Sequence, residues 1–516
     1  AYMNLNDVPA TGNAFLLTEV LRKQWGFKGF VVSDADSVGD LVTHGFAVDK
    51  ADAAFRALTA GVDMEMTFPI GPVGSAYATS LAKHVKEKRL KIAQIDDAVR
   101  RILEVKFRIG LFDNPYVDES AVAAQHNNPE HRQFARVAAQ RSAVLLRNDN
   151  NFLPLTKGDP KVRSIAVIGP LAHSKRDMRG PWTLADDMKT AITVVEGIRE
   201  KVGPRVKVEY AQGVDIARAI PSIFSIFTGP RPEPWSEVQK REEFEKALTL
   251  ARSSDLVVLV LGEHEEMSGE AATHSTIELP GRQRELFEAI SALRKPTVLV
   301  LINGRPVDIS WAVHRVPAIL EAWHPGSEGG NAIADLIYGD ASPGGKLPVT
   351  WPRSSGQIPI YYAHNLTQKP EGGKDFISRY WDMPTSPLFP FGYGLSYTEF
   401  AYSSLRVSKA EAKVGESVEV LVDVKNIGEK AGDEVVQLYI HQRSGSASRP
   451  VRELKGFERV ALAPGETKTV RFTLGKAELT YWSSAVKGWV LEPATFDLWA
   501  GGDSTSIMTT TFRVVK

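Results

Sequence analysis

The 516-residue chain has room for about three domains, and its 43% apolar and 24% charged residues exclude disordered and fibrous classes. Its 62 Lys and Arg balance 62 Asp and Glu, so no net field draws it to nucleic acid or to an acidic membrane. It has no cysteine, which removes disulfides, thiolate nucleophiles and cysteine-ligated metals, and its longest purely apolar run, Leu256 to Leu261, is far shorter than the ~20 residues that span a bilayer.

In chain order, Phe15, Leu16, Leu17, Val20, Leu21 and Trp25 stand at helical spacing, and Gly26 stops that helix. Gly29 to Asp34 reads as a short buried strand ending in polar residues. Residues 51–60 are helical, residues 61–66 form another short strand, and helices follow near 74–88 and 94–109. Helix–strand alternation implies a parallel sheet with crossover helices. With only about two strands, this region fits part of a β/α barrel and cannot bury both sheet faces by itself. Residues 118–130 look like a linker, and a helix near 129–147 leads into Leu153-Pro154-Leu155.

Alternation resumes from 164 with purer strands: Ile165–Ile168, Val206–Tyr210, Leu256–Leu261, Thr297–Ile302 and Ala318–Ala322, with helices near 236–252 and 282–293. This is a second α/β domain with a more open sheet. The apolar and proline-rich loop 213–235 interrupts it, either as an ordered loop on its own domain or as an exposed contact or lid segment. After a Pro-, Gly- and aromatic-rich crossing segment, Val418–Val424, Glu434–His441 and Thr467–Leu474 alternate apolar with polar residues between turn signals, the pattern of a β-sandwich. The predicted division is 1–118, part of a barrel; 119–159, linker and connecting helix; 160–355, α/β domain; 356–400, crossing segment; and 401–516, sandwich. Trp482 and Trp489 are expected in the sandwich core.

Several chemistries lack their motifs. There is no HExxH, no GxxxxGK[ST] and no GxSxG. Carboxylates remain. Asp34 ends a short apolar barrel-like strand, at the rim where such barrels build their chemistry, although Ser33 and Asp34 also suit a helix cap. Asp36 competes by position. The second cluster, Glu263 to Glu270, follows the strand Leu256–Leu261, where open α/β sheets bind ligands. Any one of its acids also fits a solvated loop. Glu270 stands out between Gly269 and Ala271-Ala272, whose small size lets a substrate approach closely. A pair of carboxylates is what glycoside hydrolysis uses.

The run Gly26-Phe27-Lys28-Gly29-Phe30-Val31-Val32-Ser33-Asp34 resembles the nucleophile segment of glycoside hydrolase family 3. Ordered agreement continues through Ala60 to Met66, Val144 to Asn148, Ile168 to Ala172, Ser268 to Ala271, Asn303 to Pro306, Pro325 to Gly330, Pro390 to Tyr397 and Leu454 to Phe457, covering the whole chain. Within that family the chain resembles the bacterial periplasmic β-glucosidase subgroup. The resemblance implies a (β/α) barrel of which only the C-terminal part is here, an open α/β sandwich domain and a fibronectin type III-like β-sandwich. It also implies a retaining, exo-acting β-glucosidase without metal or other cofactor. By motif match, Asp34 is the nucleophile and Glu270 the acid/base; Asp36 falls outside the matched position. Retention requires the two carboxyls ~5–5.5 Å apart with sugar bound.

Tyr2 matches an active-site tyrosine, and Trp182 in Gly180-Pro181-Trp182 matches a tryptophan that stacks on the leaving sugar. Met66, on the same rim as Asp34, is a further candidate sugar contact. Ala35 stands where many relatives carry a second stacking tryptophan, which loosens selection on the leaving side. The Lys and Arg side chains of Ser174 to Arg179 are weaker substrate-contact candidates. The expected partner is a small β-glucoside or cello-oligosaccharide, not nucleic acid or membrane, with room for a homodimer. The family's glycone-binding residues lie on earlier barrel strands, so an N-terminal barrel segment is expected to be required. A β-xylosidase is the nearest rival reading, and a non-catalytic half-enzyme is the rival of another class. A periplasmic or secreted location follows from the resemblance.

Overall fold

The computed structural model describes residues 2–67, 74–126, 128–183, 188–218, 233–366 and 379–516; most of the loop 213–235 thus lies outside the described residues. The chain divides into two compact units, Ala1–His126 and Asn127–Lys516.

In the first unit, β1 (Asn4–Leu5) and β2 (Val8–Pro9) form a small antiparallel pair. Helix α1 (Phe15–Gln24) follows, wound throughout in wide π turns, and at its end the Trp25 N–H donates to the Val20 carbonyl five residues back. Next come β3 (Val32–Ala35), α2 (Asp40–Thr43), α3 (Lys50–Ala60), β4 (Met64–Met66), α4 (Ala76–Lys86), α5 (Ile92–Arg108) and α6 (Ala121–His126). Asp49 caps α3 by accepting from the Asp52 N–H at 2.8 Å. Strands β3 and β4 pair in parallel. Val38, Leu41, Ala53, Ala54, Ala57 and Val62 pack a small core beside them. Two strands cannot cover each other's faces, and Val32 (41%), Met64 (44%) and Met66 (44%) remain exposed.

The second unit opens with α7 (Pro129–Ser142) and β5 (Val144–Asn148). The helix expected to run to 147 therefore ends five residues early, and β5 forms an antiparallel edge strand within the stretch assigned to the linker. Val144-Leu145-Leu146 continues the helix's apolar content without a turn residue, so periodicity alone did not separate the two. Then come β6 (Ser164–Ile168), α8 (Val194–Val202), β7 (Lys207–Ala211), α9 (Glu237–Ser253), β8 (Leu256–Gly262), α10 (Gln283–Ala292), β9 (Thr297–Ile302), β10 (Ala318–Glu321) and α11 (Gly329–Tyr338).

The sheet order is β5-β10-β9-β8-β6-β7, all parallel except β5. Every residue of β8 and β9 is buried, which is why both strands are unbroken apolar runs covered by helices on each face. The chain leaves β6 toward β7 and returns on β6's other side as β8. The topological switch point therefore lies between β6 and β8, and their C-terminal ends open a crevice.

The sandwich comprises β11 (Phe400–Val407), β12 (Glu411–Lys413), β13 (Val418–Asn426), β14 (Gly432–Gln442), β15 (Glu453–Leu462), β16 (Thr467–Leu474), the short α12 (Lys476–Leu479), β17 (Tyr481–Ser483), β18 (Gly488–Val490), β19 (Ala494–Gly501) and β20 (Thr509–Val515). Its sheets are β11-β13-β16 and β12-β20-β19-β14-β15. Val418, Val420, Val422 and Val424 are buried while the residues between them are not, as the period of two requires. Trp482 and Trp489 are not core residues. They sit opposite each other on the separate β17–β18 hairpin, in neither sandwich sheet, with their rings 5.9 Å apart and 53% and 70% exposed. No helix among the described residues is long and apolar enough to cross a membrane.

Candidate active site

In the first unit, buried Asp63 anchors the base of β3 and β4. Its carboxylate accepts from the Val31 N–H at 2.8 Å and from Arg101 at 2.7 Å, and it also pairs with Arg22. At the other end, the Met66 N–H donates to Ser33 Oγ at 2.8 Å, and Ser33 Oγ donates to the Asp34 carbonyl at 2.8 Å. Asp34 thus stands on a tied backbone with its side chain exposed, held by one hydrogen bond from the Ala35 N–H (2.8 Å). The Tyr2 hydroxyl donates to the Ala35 carbonyl at 2.6 Å, which brings Tyr2 to the same rim. Met66 ends β4 there, half exposed. The Asp36 backbone takes a positive φ of 55° and its N–H donates to the Met66 carbonyl, so Asp36 helps to turn the chain after Asp34.

In the second unit, Gly169 just after β6 and Gly262 at the end of β8 launch the two loops that bear Trp182 and Glu270. The loops meet: a β-carbon on Gly269 would lie 3.1 Å from Pro181 and 3.8 Å from the Trp182 ring nitrogen. Glu270 is exposed at this contact, and Trp182, 57% exposed with φ 68°, presents its ring beside it. The structure therefore brings Glu270 together with Trp182, and Asp34 with Tyr2 and Met66.

The acids preceding Glu270 are not a solvated loop. Glu263 is fully buried and grips Arg305 by both carboxylate oxygens. Glu265 and Glu266 share Arg176, and Arg218 joins Glu265 (3.0 Å) to Asp177 (2.6 Å). The Glu265 N–H and the Ser174 hydroxyl also donate to Asp177. Arg176 thus braces the loop that carries Glu270, and Lys175 pairs with Glu196. Burial opposes ionisation of Asp177, but its hydrogen bond with Glu265 and the Arg218 guanidinium hold its carboxyl well below the usual range. Burial and the neighbouring Asp177 push Glu265 up to about 7. Burial and the Arg218 charge push the His264 imidazole down to about 3, so it is neutral at physiological pH.

A pH prediction follows. A carboxyl raised from 4.5 to about 7 on folding adds stability that is complete below its unfolded value and is lost as pH rises through its folded value. Between about pH 5 and 8, wild type should lose melting temperature relative to Glu265→Gln, whose amide does not titrate. Parallel melting curves across that window would show that Glu265 is not the proton carrier.

Asp177, His264 and Glu265 place donor atoms within 4.8 Å of one another, a spacing able to hold a metal ion. Two arginines already neutralise the carboxylates, however, and a cation would have to displace them. This buried cluster was missed by sequence reasoning. Its signal was the alternation of Arg176-Asp177 with Glu265-Glu266, two opposite-sign doublets on the loops flanking the switch point.

With the geometry in place, the similarities are specific. Residues 1–105 match the glycosyl hydrolase family 3 N-terminal domain, residues 143–397 the glycosyl hydrolase family 3 C-terminal domain, and residues 434–504 a fibronectin type III-like domain. The chain is 40% identical over 526 residues to a periplasmic β-glucosidase of Salmonella typhimurium, covering 100% of this chain and 67% of that protein. It is 38% identical over 509 residues to a β-xylosidase of Formosa agariphila, covering 98% and 67%. The structure of a mutant Listeria innocua β-glucosidase in complex with laminaribiose superposes with a TM-score of 0.88 at 35% identity, covering 99% of this chain and 67% of that one. The chain spans about two thirds of the length of these relatives.

Proposed function

The chain belongs to glycosyl hydrolase family 3, and on that membership we propose that it serves a retaining, exo-acting β-glucosidase that removes terminal non-reducing β-D-glucosyl residues from small glucosides and cello-oligosaccharides. The observation that carries this reading is Glu270: a carboxylate exposed at the C-terminal end of β8, on a loop braced from below by Arg176 and Arg218 and packed against the turn that presents Trp182. A general acid needs such a fixed, open position beside an aromatic face for the leaving sugar.

The ionised Asp34 attacks the anomeric carbon as Glu270 protonates the departing oxygen, leaving a glycosyl ester on Asp34. Glu270 then takes a proton from water, which attacks the same carbon and frees Asp34. Tyr2 and Met66 flank Asp34 as sugar contacts, and Trp182 stacks on the leaving side.

The exposed Val32, Met64 and Met66 support a further element of the proposal. The relatives are about half again as long, and in this reading a barrel segment closes the β3–β4 sheet and supplies the groups that hold the glucosyl residue. The periplasm is the proposed location, from the name of the Salmonella relative. A β-xylosidase is the second reading, favoured by the similarity to the Formosa protein.

The test is hydrolysis of paired aryl β-glucosides and β-xylosides by the natural full-length protein, with the first-formed anomer followed by NMR. Faster glucosyl turnover and initial β-glucose are expected. Initial α-glucose overturns retention, and faster xylosyl turnover selects the second reading. The 516-residue chain alone is expected to be inactive; brisk turnover by it would overturn the need for the barrel segment.

A further inference from the structure

The C-terminal edge of β6, β7 and β8 carries a second opening, apart from the Trp182 and Glu270 side chains. It is a cavity of about 620 Å³ at the switch point, within the roughly 300–1,000 Å³ of small-molecule sites. Among its lining residues are Tyr210, Gln212, Asp215, Trp235, His173 and His264. We propose that this cavity binds a neutral mono- or disaccharide.

The lining has the chemistry a pyranose needs. Trp235 and Tyr210 are among the lining residues, and aromatic rings are what the C–H face of a sugar packs against. The Gln212 amide both donates and accepts, Asp215 accepts, and the Tyr210 hydroxyl does either, matching hydroxyl groups that also do both. None of these three side chains forms a hydrogen bond with another described residue.

The charges disfavour an anionic ligand. Arg218 lines the cavity but is committed to Asp177 and Glu265, so it is not available as an anion receptor. Asp215 and Glu233, also on the wall, repel phosphate or uronate groups. Asp177 and Arg218, tied to each other and to Glu265, form part of the cavity wall, and His173 is steadied by contact of its Nδ1 with the Thr193 hydroxyl (3.1 Å) and by its ring against Tyr210 (5.4 Å).

Two sources offer the same chemistry. One is the far end of an oligosaccharide whose scissile bond lies at Glu270, six residues along the loop from His264; that source rests on the glycosidase reading. The other is a free sugar acting from a separate site.

The first measurement is cellobiose binding to the 516-residue chain by titration calorimetry and saturation-transfer NMR, with wild type, Trp235→Ala, Gln212→Ala and Glu270→Gln, each checked for an unchanged melting temperature. Binding weakened about tenfold by Trp235→Ala and by Gln212→Ala, and unchanged by Glu270→Gln, is expected. No binding below about 10 mM, or binding lost only in Glu270→Gln, overturns the proposal. This arm needs no turnover, so a failed glycosidase reading leaves it intact. In the full-length enzyme, a raised KM for cellotriose with an unchanged KM for an aryl glucoside in Trp235→Ala supports the substrate's far end as the source. A glucose- or cellobiose-dependent change in aryl-glucoside turnover that Trp235→Ala abolishes supports a free sugar.

Discussion

Asp34→Asn is expected to lower kcat/KM of the full-length protein on an aryl β-glucoside by about 10⁴-fold or more, while leaving its melting temperature within a degree or two. The large effect follows from the role: without the carboxylate no glycosyl ester forms, and the covalent route closes. The small structural effect follows from the setting. Asp34 is exposed and accepts one hydrogen bond, from its neighbour's N–H, while the Ser33 hydroxyl and the backbone tie β3 to β4.

Glu270→Gln should behave differently. It should cost about 10²–10⁴-fold on a sugar leaving group that needs protonation, and much less on a nitrophenolate that does not. There the second step limits, and azide, which attacks without base assistance, should restore turnover as a β-glucosyl azide. If azide rescues another acid variant, such as Glu266→Gln, and not Glu270→Gln, the acid/base assignment fails. Glu266 is the informative comparison because its carboxylate is buried and bound to Arg176.

What the sequence revealed depended on how local the cause was. Strands β8 and β9 were legible because burial on both faces demands an unbroken apolar run, and each run is bounded by polar or turn residues. Glu270 stood out by its place after such a strand, Asp34 by the short apolar run before it, and both by the motif resemblance. The burial of Glu263, Glu265 and Glu266 was not legible. Whether a carboxylate is solvated or buried depends on which guanidinium meets it, and these partners, Arg305, Arg176 and Arg218, lie 42 to 90 residues away along the chain. The hairpin tryptophans failed for a related reason. Trp482 and Trp489 alternate like core residues, but β17 and β18 pair only with each other, so their aromatic face has no second sheet to cover it.

The two launching glycines link fold to function, and Gly262 gives the second large effect. At φ 146° its backbone lies where other residues are strained, and a β-carbon there would sit 1.8 Å from the Ile302 carbonyl oxygen of β9. Neither group can retreat. Buried Gln283 clamps Gly262 from both sides, accepting from its N–H at 2.9 Å and donating to its carbonyl at 2.7 Å, while the next residue's N–H bonds Ile302 itself at 2.9 Å. Gly169 repeats the arrangement on β6, with a β-carbon 1.9 Å from the Val260 carbonyl oxygen.

Backbone strain and overpacking together should make Gly262→Ala cost about 3–5 kcal/mol, roughly 10 °C in melting temperature. Gly203→Ala is the control: it too has a positive φ, 67°, but nothing lies within 4 Å of its would-be β-carbon. With ψ −173° it bears backbone strain alone, about 1–3 kcal/mol. Because Gly262 sets the path of the chain toward Glu263 and Glu270, the full-length Gly262→Ala protein should also lose kcat well below its melting point, and Gly203→Ala should not. If the two variants melt within about 2 °C of each other, the close approach of β8 and β9 is not what fixes the loop. The glycine's place after the strand would then need another cause.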